Sequence, residues 1–501
     1  LKCLFCKVLI ERGECPPIDP SLDDFSVAKQ IRAGFNRVRA EFPDIYEPDA
    51  EILLDPTSLA YVMRALKFSI MDAETDPIGD AFEAFIGSES KGNSGQFFTP
   101  RAGTALLVKA LNPKPGETIL DPACGAGGFL TSICAHLARH GQSRSAIAKL
   151  VSQNIYGIDK DAYLAKLARA HIALLTGAHP KVICGDSLAL TNGGGELLRH
   201  LPKDGVDVLV TNPPFGVRIV AAKPEVMQSF ALARRWVIDR TTGRLAPSAD
   251  YQASVPPQVL FVERCLSLLK PGGRLGMVVP ESLLSNKSYR HVVEYLTTRA
   301  DLHAVLGMPE SFFKTSGKGG THTKTCLIVA TKNREGVKTS STVFMAEARW
   351  CGNDSRGRAI PNNDLPAISK NLLAYQSGKK MIASDLGFVI PKEKLASNVL
   401  CPRYYDPEAD KEIASLAATH ELSLFGDLVE QGVLSLATGD EIGKLAYGTG
   451  TIPFIRTSDL SNWELKSDPK HGVSAEIYEK LRAKQDVRPN DILLVRDGTY
   501  L

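Results

Sequence analysis

The stretch Asn212-Pro213-Pro214-Phe215 combines groups that can hold a planar amine. The Asn212 carboxamide has an acceptor oxygen and a donor NH2, Pro213 keeps a backbone carbonyl, and Phe215 has a flat aromatic face. Two acceptors can hold an amino group and tilt its lone pair toward an electrophile, while the ring stacks on the base that carries the amine. Because no strong acid or nucleophile is present, the pattern predicts group transfer to an amine that is positioned and desolvated.

A buried strand must position this turn. Val206, Val208, Leu209 and Val210 form an apolar run that predicts a strand, and the two prolines end it because each lacks a donor and has a fixed φ. The turn therefore lies at the carboxyl end of a strand, the edge at which open α/β sheets bind ligands. An ordinary strand-ending turn is the alternative.

A second strand ends at Asp121 and leads into a glycine loop with Cys124, Gly125 and Gly127, followed by an apolar helix. Glycines allow a positive φ and close approach of a ligand, and a helix N-terminus presents free N–H groups. The next acidic strand end, Asp159, comes 38 positions after Asp121, whereas a dinucleotide-binding site would have it about 20 positions on. A carboxylate at Asp159 can accept two vicinal hydroxyls, or it can cap the next helix.

Two further segments complete the predicted site. Residues 182–187 form another strand that ends in an acid, Asp186, which can also cap the next turn. Upstream, Phe98, Thr99 and Pro100 lie in a short aromatic segment before a predicted helix, where Thr99-Pro100 also suits a helix start. Alternating strands and helices predict a doubly wound α/β sheet, with four polar strand ends on one rim.

These motifs, in this order, resemble those of S-adenosylmethionine (SAM)-dependent adenine-N6 DNA methyltransferases, in particular the modification subunits of type I restriction–modification systems. The resemblance implies a Rossmann-like methyltransferase fold with SAM as cofactor and without a metal. It also implies the site residues. The expected cofactor-binding residues are Phe98, Thr99, Pro100, Asp121, Cys124, Gly125, Gly127, Asp159 and Asp186, and the expected catalytic residues are Asn212, Pro213, Pro214 and Phe215.

We expect four regions along the chain. Residues 1–90 are predicted to be helical, residues 91–333 to form the methyltransferase domain, and residues 334–400 to be a linker with some helix. Residues 401–501 resemble part of the target-recognition domain of a specificity subunit, through the phrases at 452–459 and 495–500. The chain stops within a strand–turn phrase, so this β-rich module is expected to be truncated.

The composition fits this interpretation without demanding it. The chain has 501 residues, a net charge of +3 and 44% hydrophobic residues, which permits but does not argue for nucleic-acid binding. Its ten cysteines and the lack of a long apolar run predict a cytoplasmic protein. Cys3, Cys6 and Cys15 could be part of a zinc site, although free thiols fit the spacing better.

The expected partner is double-stranded DNA, from which an adenine is flipped out, with specificity and restriction subunits or further copies of the chain as possible companions. The alternatives are methylation of a protein glutamine or an RNA base, or a catalytically silent DNA-binding subunit. The basic and aromatic segment 218–257 is either a solvated loop or a substrate contact. Arg456 is a weak candidate for base reading, and a structural arginine fits better.

Overall fold

The computed structural model describes most of the chain, in two compact units. It describes residues 2–43, 45–70, 78–79, 99–189, 199–215, 224–319, 323–354, 356–381, 386–395, 399–440, 442–456, 459–461, 464–465, 468–485, 487–489 and 491–493. Unit 1 comprises Leu1–Pro407 and unit 2 comprises Glu408–Leu501. Of the residues predicted to form the site, only Phe98 lies outside the described residues.

The described part of unit 1 begins with three helices and continues with a mixture of helices and strands. The helices are α1 (Lys2–Glu11), α2 (Asp24–Glu41), α3 (Pro56–Ala65), α4 (Arg101–Leu111), α5 (Gly128–Arg139), α6 (Arg144–Asn154), α7 (Ala162–Thr176), α8 (Pro224–Met227), α9 (Pro257–Leu268), α10 (Glu281–Ser285), α11 (Arg290–Arg299) and α12 (Leu365–Gln376). The strands are β1 (Ile119–Asp121), β2 (Ile155–Asp159), β3 (Lys181–Cys184), β4 (Val206–Thr211), β5 (Arg234–Ile238), β6 (Leu245–Tyr251), β7 (Leu269–Pro280), β8 (Ala300–Met308), β9 (Thr325–Lys332), β10 (Thr342–Glu347), β11 (Cys351–Asn353), β12 (Ala359–Asn363) and β13 (Phe388–Pro391).

Nine of these strands form one sheet in the order β13-β10-β8-β9-β7-β4-β1-β2-β3. Strands β3, β2, β1, β4 and β7 run parallel, β9 runs antiparallel between β7 and β8, and β10 is parallel to β8. Two large apolar clusters cover the sheet, because helices pack on both of its faces. The predicted doubly wound α/β fold is confirmed.

The sheet also extends beyond the region predicted for it. Residues 334–400, which we expected to form a linker, contain β10 and β13 of the sheet and the helix α12, whose Ile368 and Leu372 are buried. These residues are therefore part of the sheet domain and not a linker, although the helix expected within them is present as α12. This part of the core is hard to recognise in the sequence, because β10 and β13 are only six and four residues long and are surrounded by turn residues.

The N-terminal helices α1, α2 and α3 pack on α7 of the sheet domain. Arg12 donates to the Ala173 carbonyl over 3.1 Å. Cys3, Cys6 and Cys15 are buried among apolar side chains, and burial raises the pKa of each thiol. They pack within the apolar cluster of the N-terminal helices, and no group of three or more His, Cys, Asp or Glu residues in the described part of the chain could hold a metal ion.

Unit 2 contains more helix than we predicted. Its described elements are α13 (Pro407–Ala417, which begins at the last residue of unit 1), α14 (Phe425–Glu430), α15 (Ala475–Arg482) and the two-stranded pair β14 (Leu460–Ser461) and β15 (Glu464–Leu465). Arg456 makes a two-pronged hydrogen bond to Asp459, at 2.7 and 3.1 Å, and its third nitrogen is 3.0 Å from His471. This arginine is therefore structural, as the sequence favoured.

Within the part of the chain that the structure describes, none of the helices has the length and apolar character needed to cross a bilayer.

Candidate functional site

The four polar strand ends follow four neighbouring strands. In the sheet, β4, β1, β2 and β3 are adjacent, with Leu120 paired to Leu209 and to Tyr156, and with Asp159 paired to Cys184. All four strands are parallel, so their carboxyl ends share one rim. Adjacent strands lie about 4.8 Å apart, which brings the residues after them close together. The predicted rim is thus present.

The glycine loop joins β1 to α5 through two residues with a positive φ. Gly125 and Gly127 have φ of +51° and +85°, a region that other residues rarely adopt. The Cys124 N–H donates to the Ile158 carbonyl over 2.9 Å, and the Gly127 N–H donates to the Cys124 carbonyl over 2.8 Å. Gly127 also packs on Ala168 of α7, since an added Cβ would lie 3.4 Å from its Cα. The loop is therefore fixed from behind while its other side stays open.

Asp121 is a buried carboxyl at the start of this loop. Its side chain is 1% exposed, and Oδ1 accepts from the Ala123 N–H over 3.1 Å. Burial raises the pKa of Asp121 to about 7, and the nearby Asp159 carboxylate also raises it, against hydrogen bonds that lower it. Such a group titrates near neutral pH and can pair with a cation brought by a ligand.

Asp159 connects the second strand end to the glycine loop. Its Oδ2 accepts from the Gly125 N–H over 2.8 Å, and its Oδ1 accepts from the Asp161 N–H over 2.9 Å. Burial raises the pKa of Asp159 above the ordinary value. The carboxylate thus orients the loop, while Asp161 caps α7 through the N–H groups of Tyr163 and Leu164.

Asp186 caps the turn that follows it, which is the predicted alternative to ligand binding. Its Oδ1 accepts from the Leu188 N–H over 3.0 Å, and its Oδ2 is 3.0 Å from Lys160 Nζ. The neighbouring Ser187 hydroxyl donates to the Pro122 carbonyl over 2.6 Å, which ties this turn to the glycine loop. Asp186 therefore lies on the rim with an exposed lysine as its partner, and a ligand that approaches it competes with that lysine.

The turn after β4 is partly enclosed. Asn212 and Pro214 are half-buried, whereas Pro213 is buried and Phe215 is only 2% exposed. The Phe215 ring packs edge to face on Phe313, with ring centroids 5.9 Å apart. We predicted that this ring would offer a face to a base. In the described conformation the core covers it, so stacking on a base requires the ring to leave its place.

The segment before α4 faces the same region. Thr99 and Pro100 are half-buried, Pro100 occupies the N-cap position of α4, and the N–H groups of Gly103 and Thr104 donate to its carbonyl over 2.9 and 3.1 Å. The helix begins one residue later than the Thr99 cap that we considered. Thr99 therefore precedes the cap, and it lines the cavity described below.

A cavity of about 590 Å³, within the size range of small-molecule sites, lies between the glycine loop, the segment before α4 and the turn after β4. Asp159 and Asp186 are not among the residues that line it. Thr99, Asp121, Cys124, Gly125 and Asn212 line it. An added Cβ at Gly125 would meet no heavy atom within 4 Å, so the loop backbone is open to a ligand. A buried acid for a cationic group and an open glycine loop fit the methionine end of SAM.

The sequence did not identify several residues at this site. Arg101, Phe129 and His171 also line the cavity. His171, on α7, is 2% exposed, and its Nδ1 lies 2.9 Å from the Ala126 carbonyl oxygen in the glycine loop, so Nδ1 carries a proton and donates. A single histidine on an apolar helix carries no signal for this contact, which joins residues 45 positions apart.

We expect the change His171→Phe to weaken SAM binding by about tenfold. Phenylalanine cannot donate a hydrogen bond to the buried Ala126 carbonyl, and an unsatisfied buried acceptor costs about 1–3 kcal/mol. Part of this free energy destabilises the loop conformation that binds SAM, so the affinity falls. Calorimetric titration with SAM measures the affinity. His303→Phe, which removes a 2.8 Å contact to Thr331 in β8 and β9, is the control. Equal SAM affinities for the two variants would contradict the role of His171.

Comparison with known sequences finds the N-6 DNA Methylase family, whose model matches residues 73–384. The methylase subunit of the type I restriction enzyme EcoEI of Escherichia coli is 28% identical over 389 residues, which cover 71% of this chain and 70% of that protein. The EcoKI methylase subunit of E. coli strain K12 is 25% identical over 261 residues, or 48% of this chain and 42% of that protein.

Solved structures show the same fold. A chain from a study of complex assembly in a type I restriction–modification system has a TM-score of 0.52 at 20% identity, with 86% of this chain and 92% of that chain covered. A modification subunit of a putative type I restriction enzyme from Vibrio vulnificus YJ016 has a TM-score of 0.51 at 18% identity, with 75% and 74% covered.

Proposed function

This chain belongs to the N-6 DNA Methylase family, a family of SAM-dependent DNA methyltransferases, and we infer that it methylates the N6 amine of an adenine flipped out of duplex DNA. The observation that carries this proposal is the shared rim of β4, β1, β2 and β3. It joins Asn212 to Asp121 and the glycine loop around one cavity. A binding protein without catalysis has no need for this combination.

The cofactor side of the site is formed by the glycine loop and its neighbours. When bound, SAM supplies a methyl group made electrophilic by its positively charged sulfur. Asp121 and the open side of the loop at Cys124 and Gly125 hold the methionine end, and Thr99 lines the same cavity. Asp159 takes the ribose hydroxyls, and Asp186 takes the adenine amine in exchange for Lys160. These assignments follow from position on the rim and from the family pattern.

The turn after β4 forms the substrate side. The Asn212 side-chain oxygen and the Pro213 carbonyl accept the two hydrogens of the adenine amine, which directs its lone pair toward the methyl group. Pro213 and Pro214 keep the turn rigid, because each has a fixed φ. Enclosure of the turn removes water from the amine, and positioning with desolvation is the main contribution that these residues can make.

The test is methyl transfer from radiolabelled SAM to unmethylated genomic DNA by the full chain. Label recovered as N6-methyladenine supports the proposal, and label in RNA or protein alone would replace DNA by another substrate.

We also propose that the chain acts in the cytoplasm, supported by ten free cysteines. We propose that it acts with specificity and restriction subunits or further copies, since a relative is a subunit of a type I enzyme.

The segment after the catalytic turn contains a basic hairpin, defined as β5 and β6 with residues 239–244 between them. Arg235, Arg240 and Arg244 are exposed on it, and the Arg234 guanidinium lies 5.0 Å from the Tyr251 ring centroid. Exposed arginines suit phosphates, because neutralising each phosphate releases counterions. We therefore favour a DNA contact over a merely solvated loop for this segment.

Replacing Arg235, Arg240 and Arg244 together by alanine should weaken DNA binding and flatten its salt dependence. The slope of log affinity against log salt should fall in magnitude by about 0.9 for each lost phosphate contact. Fluorescence anisotropy with labelled duplex at several salt concentrations measures it. The control replaces Lys109, Lys149 and Lys338, which are exposed elsewhere on unit 1. Equal slopes for both triple variants would show that the basic hairpin does not contact DNA phosphates.

For unit 2 we keep the proposal that it reads the DNA target. The supporting observation is its resemblance in sequence to recognition domains, at residues 452–459 and 495–500. Sequencing of methylated sites, before and after exchange of unit 2 for that of a relative with a different target, tests it. A change of modified sequence supports the proposal, and an unchanged sequence assigns target choice to another part or partner.

A further inference from the structure

Three buried phenylalanine rings connect the catalytic turn to helix α4. Phe215, in the turn, packs edge to face on Phe313 with an interplanar angle of 76°. Phe313 packs edge to face on Phe312, with centroids 5.1 Å apart and an angle of 87°. Phe313 and Phe312 are 0% and 1% exposed. The rings therefore form a continuous and closely packed row.

The row ends on the backbone of α4 at Gly103. A Cβ added to Gly103 would lie 2.3 Å from Cζ of Phe312, so the ring occupies the space that any side chain would need. Gly103 is in the first turn of α4, and its N–H donates to the Pro100 carbonyl over 2.9 Å. The contact therefore fixes the position at which Thr99 and Pro100 enter the helix.

The base of the row lies in the segment that directly follows β8. Phe312 and Phe313 follow β8, and the Phe312 N–H donates to the Pro309 carbonyl over 2.9 Å. The Ser311 hydroxyl lies 3.4 Å from the Cys351 sulfur of β11. Phe312 and Phe313 thus belong to a third segment, distinct from the segment before α4 and from the turn after β4.

Those two segments form opposite sides of the reaction site. Thr99 and Asn212 line the same cavity, but one precedes α4 and the other follows β4. Methyl transfer needs its reacting atoms about 3–3.5 Å apart and aligned, and a displacement of about 1 Å can cost about 100-fold in rate. Something rigid must set the distance between the two sides.

We propose that Phe312 and Phe313 are positioning residues, an aromatic spacer that sets the separation between the cofactor segment and the catalytic turn. The inference rests on the proposed methyltransferase function and deepens it. Neither ring needs to touch substrate, since the spacer acts through Gly103 on one side and Phe215 on the other. Gly103 is required for this contact, because any side chain at this position would keep the Phe312 ring away from the backbone of α4.

The first test is Gly103→Ala. The new Cβ must displace the ring by about 1 Å to reach ordinary contact, so the single-turnover rate of methyl transfer at saturating SAM and DNA should fall about 100-fold. Alanine favours a helix more than glycine does, so unfolding of α4 does not explain such a loss. Phe312→Leu, which removes the ring tip, should lower the same rate at least tenfold.

The second test combines the two changes. In Gly103→Ala with Phe312→Leu the shorter side chain leaves room for the new Cβ. The rate should then recover at least tenfold relative to Gly103→Ala alone. Independent effects would instead multiply, which makes the double variant the slowest of the three.

Phe344→Leu is the matched control, because Phe344 is a fully buried phenylalanine of the same core cluster. It should lose thermal stability as Phe312→Leu does, yet keep the wild-type rate. Three results would each overturn the spacer proposal but not the proposed function. These are rates within twofold of wild type for both Gly103→Ala and Phe312→Leu, a rate loss that Phe344→Leu shares, and multiplied losses in the double variant. A wild-type chain that transfers no methyl group would overturn the proposed function with it.

Discussion

Replacement of Asn212 by alanine should reduce methyl transfer to DNA by about 10²–10³-fold while SAM affinity stays within about twofold of wild type. The loss of one preorganised polar group aimed at a reacting centre has this magnitude in other enzymes. The selectivity follows from position, because Asn212 lies after β4 while the cofactor loop follows β1. Single-turnover assays with radiolabelled SAM measure the rate, and calorimetric titration measures SAM binding.

Two further variants sharpen this result. Asn212→Asp keeps an acceptor oxygen and should retain more activity than Asn212→Ala, if the oxygen is the group that holds the amine. Asn333→Ala removes an exposed asparagine that donates to the Thr298 carbonyl over 3.1 Å and should change nothing. A fully active Asn212→Ala variant would show that Asn212 has no catalytic role.

The second large effect concerns pH. SAM affinity should rise with pH from about 5.5 to 7, by up to tenfold per unit, and level off near pH 7. Burial raises the pKa of Asp121 to about 7, so below that pH the free protein holds a proton on this carboxyl. A carboxyl that pairs with the cationic end of SAM must release the proton, and binding is then linked to its loss. Titrations in buffers of different ionisation enthalpy measure the proton released.

Asp121→Asn assigns this dependence. The variant should bind SAM about 10- to 100-fold more weakly at pH 7.5, as expected for loss of a charge-assisted hydrogen bond, and should show a flatter pH profile below 7. The comparison is needed because burial also raises the pKa of Asp159. An unchanged pH profile of SAM affinity in Asp121→Asn would show that the proton is released by another group.

The same shift predicts the direction of stability. Asp121 has a pKa near 3.9 when exposed and about 7 in the folded protein, so the folded state binds more protons between these values. Stability should therefore fall as pH rises from about 4 to 7, by this group's contribution, and bound SAM should offset the loss. The burial of this acid thus fits a site that is completed by its ligand.

The sequence alone determined the order of the chemistry along the chain. Polar residues directly after apolar runs predicted Asp121, Asp159, Asp186 and Asn212 at one sheet edge, because parallel strands bring their carboxyl ends together. Glycines in a loop between a strand and a helix predicted the cofactor-binding turn. The structure confirms the placement of these residues at one sheet edge, because strand direction and turn chemistry are local properties that few residues encode. Their role in cofactor binding stays a prediction.

Only the tertiary structure decided which rings and strands complete the site. The linker predicted for 334–400 supplies β10 and β13 of the sheet, since strand pairing depends on partners distant in sequence. Phe215 is buried rather than displayed, because Phe313, almost 100 residues later, packs on it. The contacts of His171 with Ala126 and of Phe312 with Gly103 likewise join separate elements. Local patterns place residues at the ends of elements, whereas burial and packing between elements set what each side chain can reach.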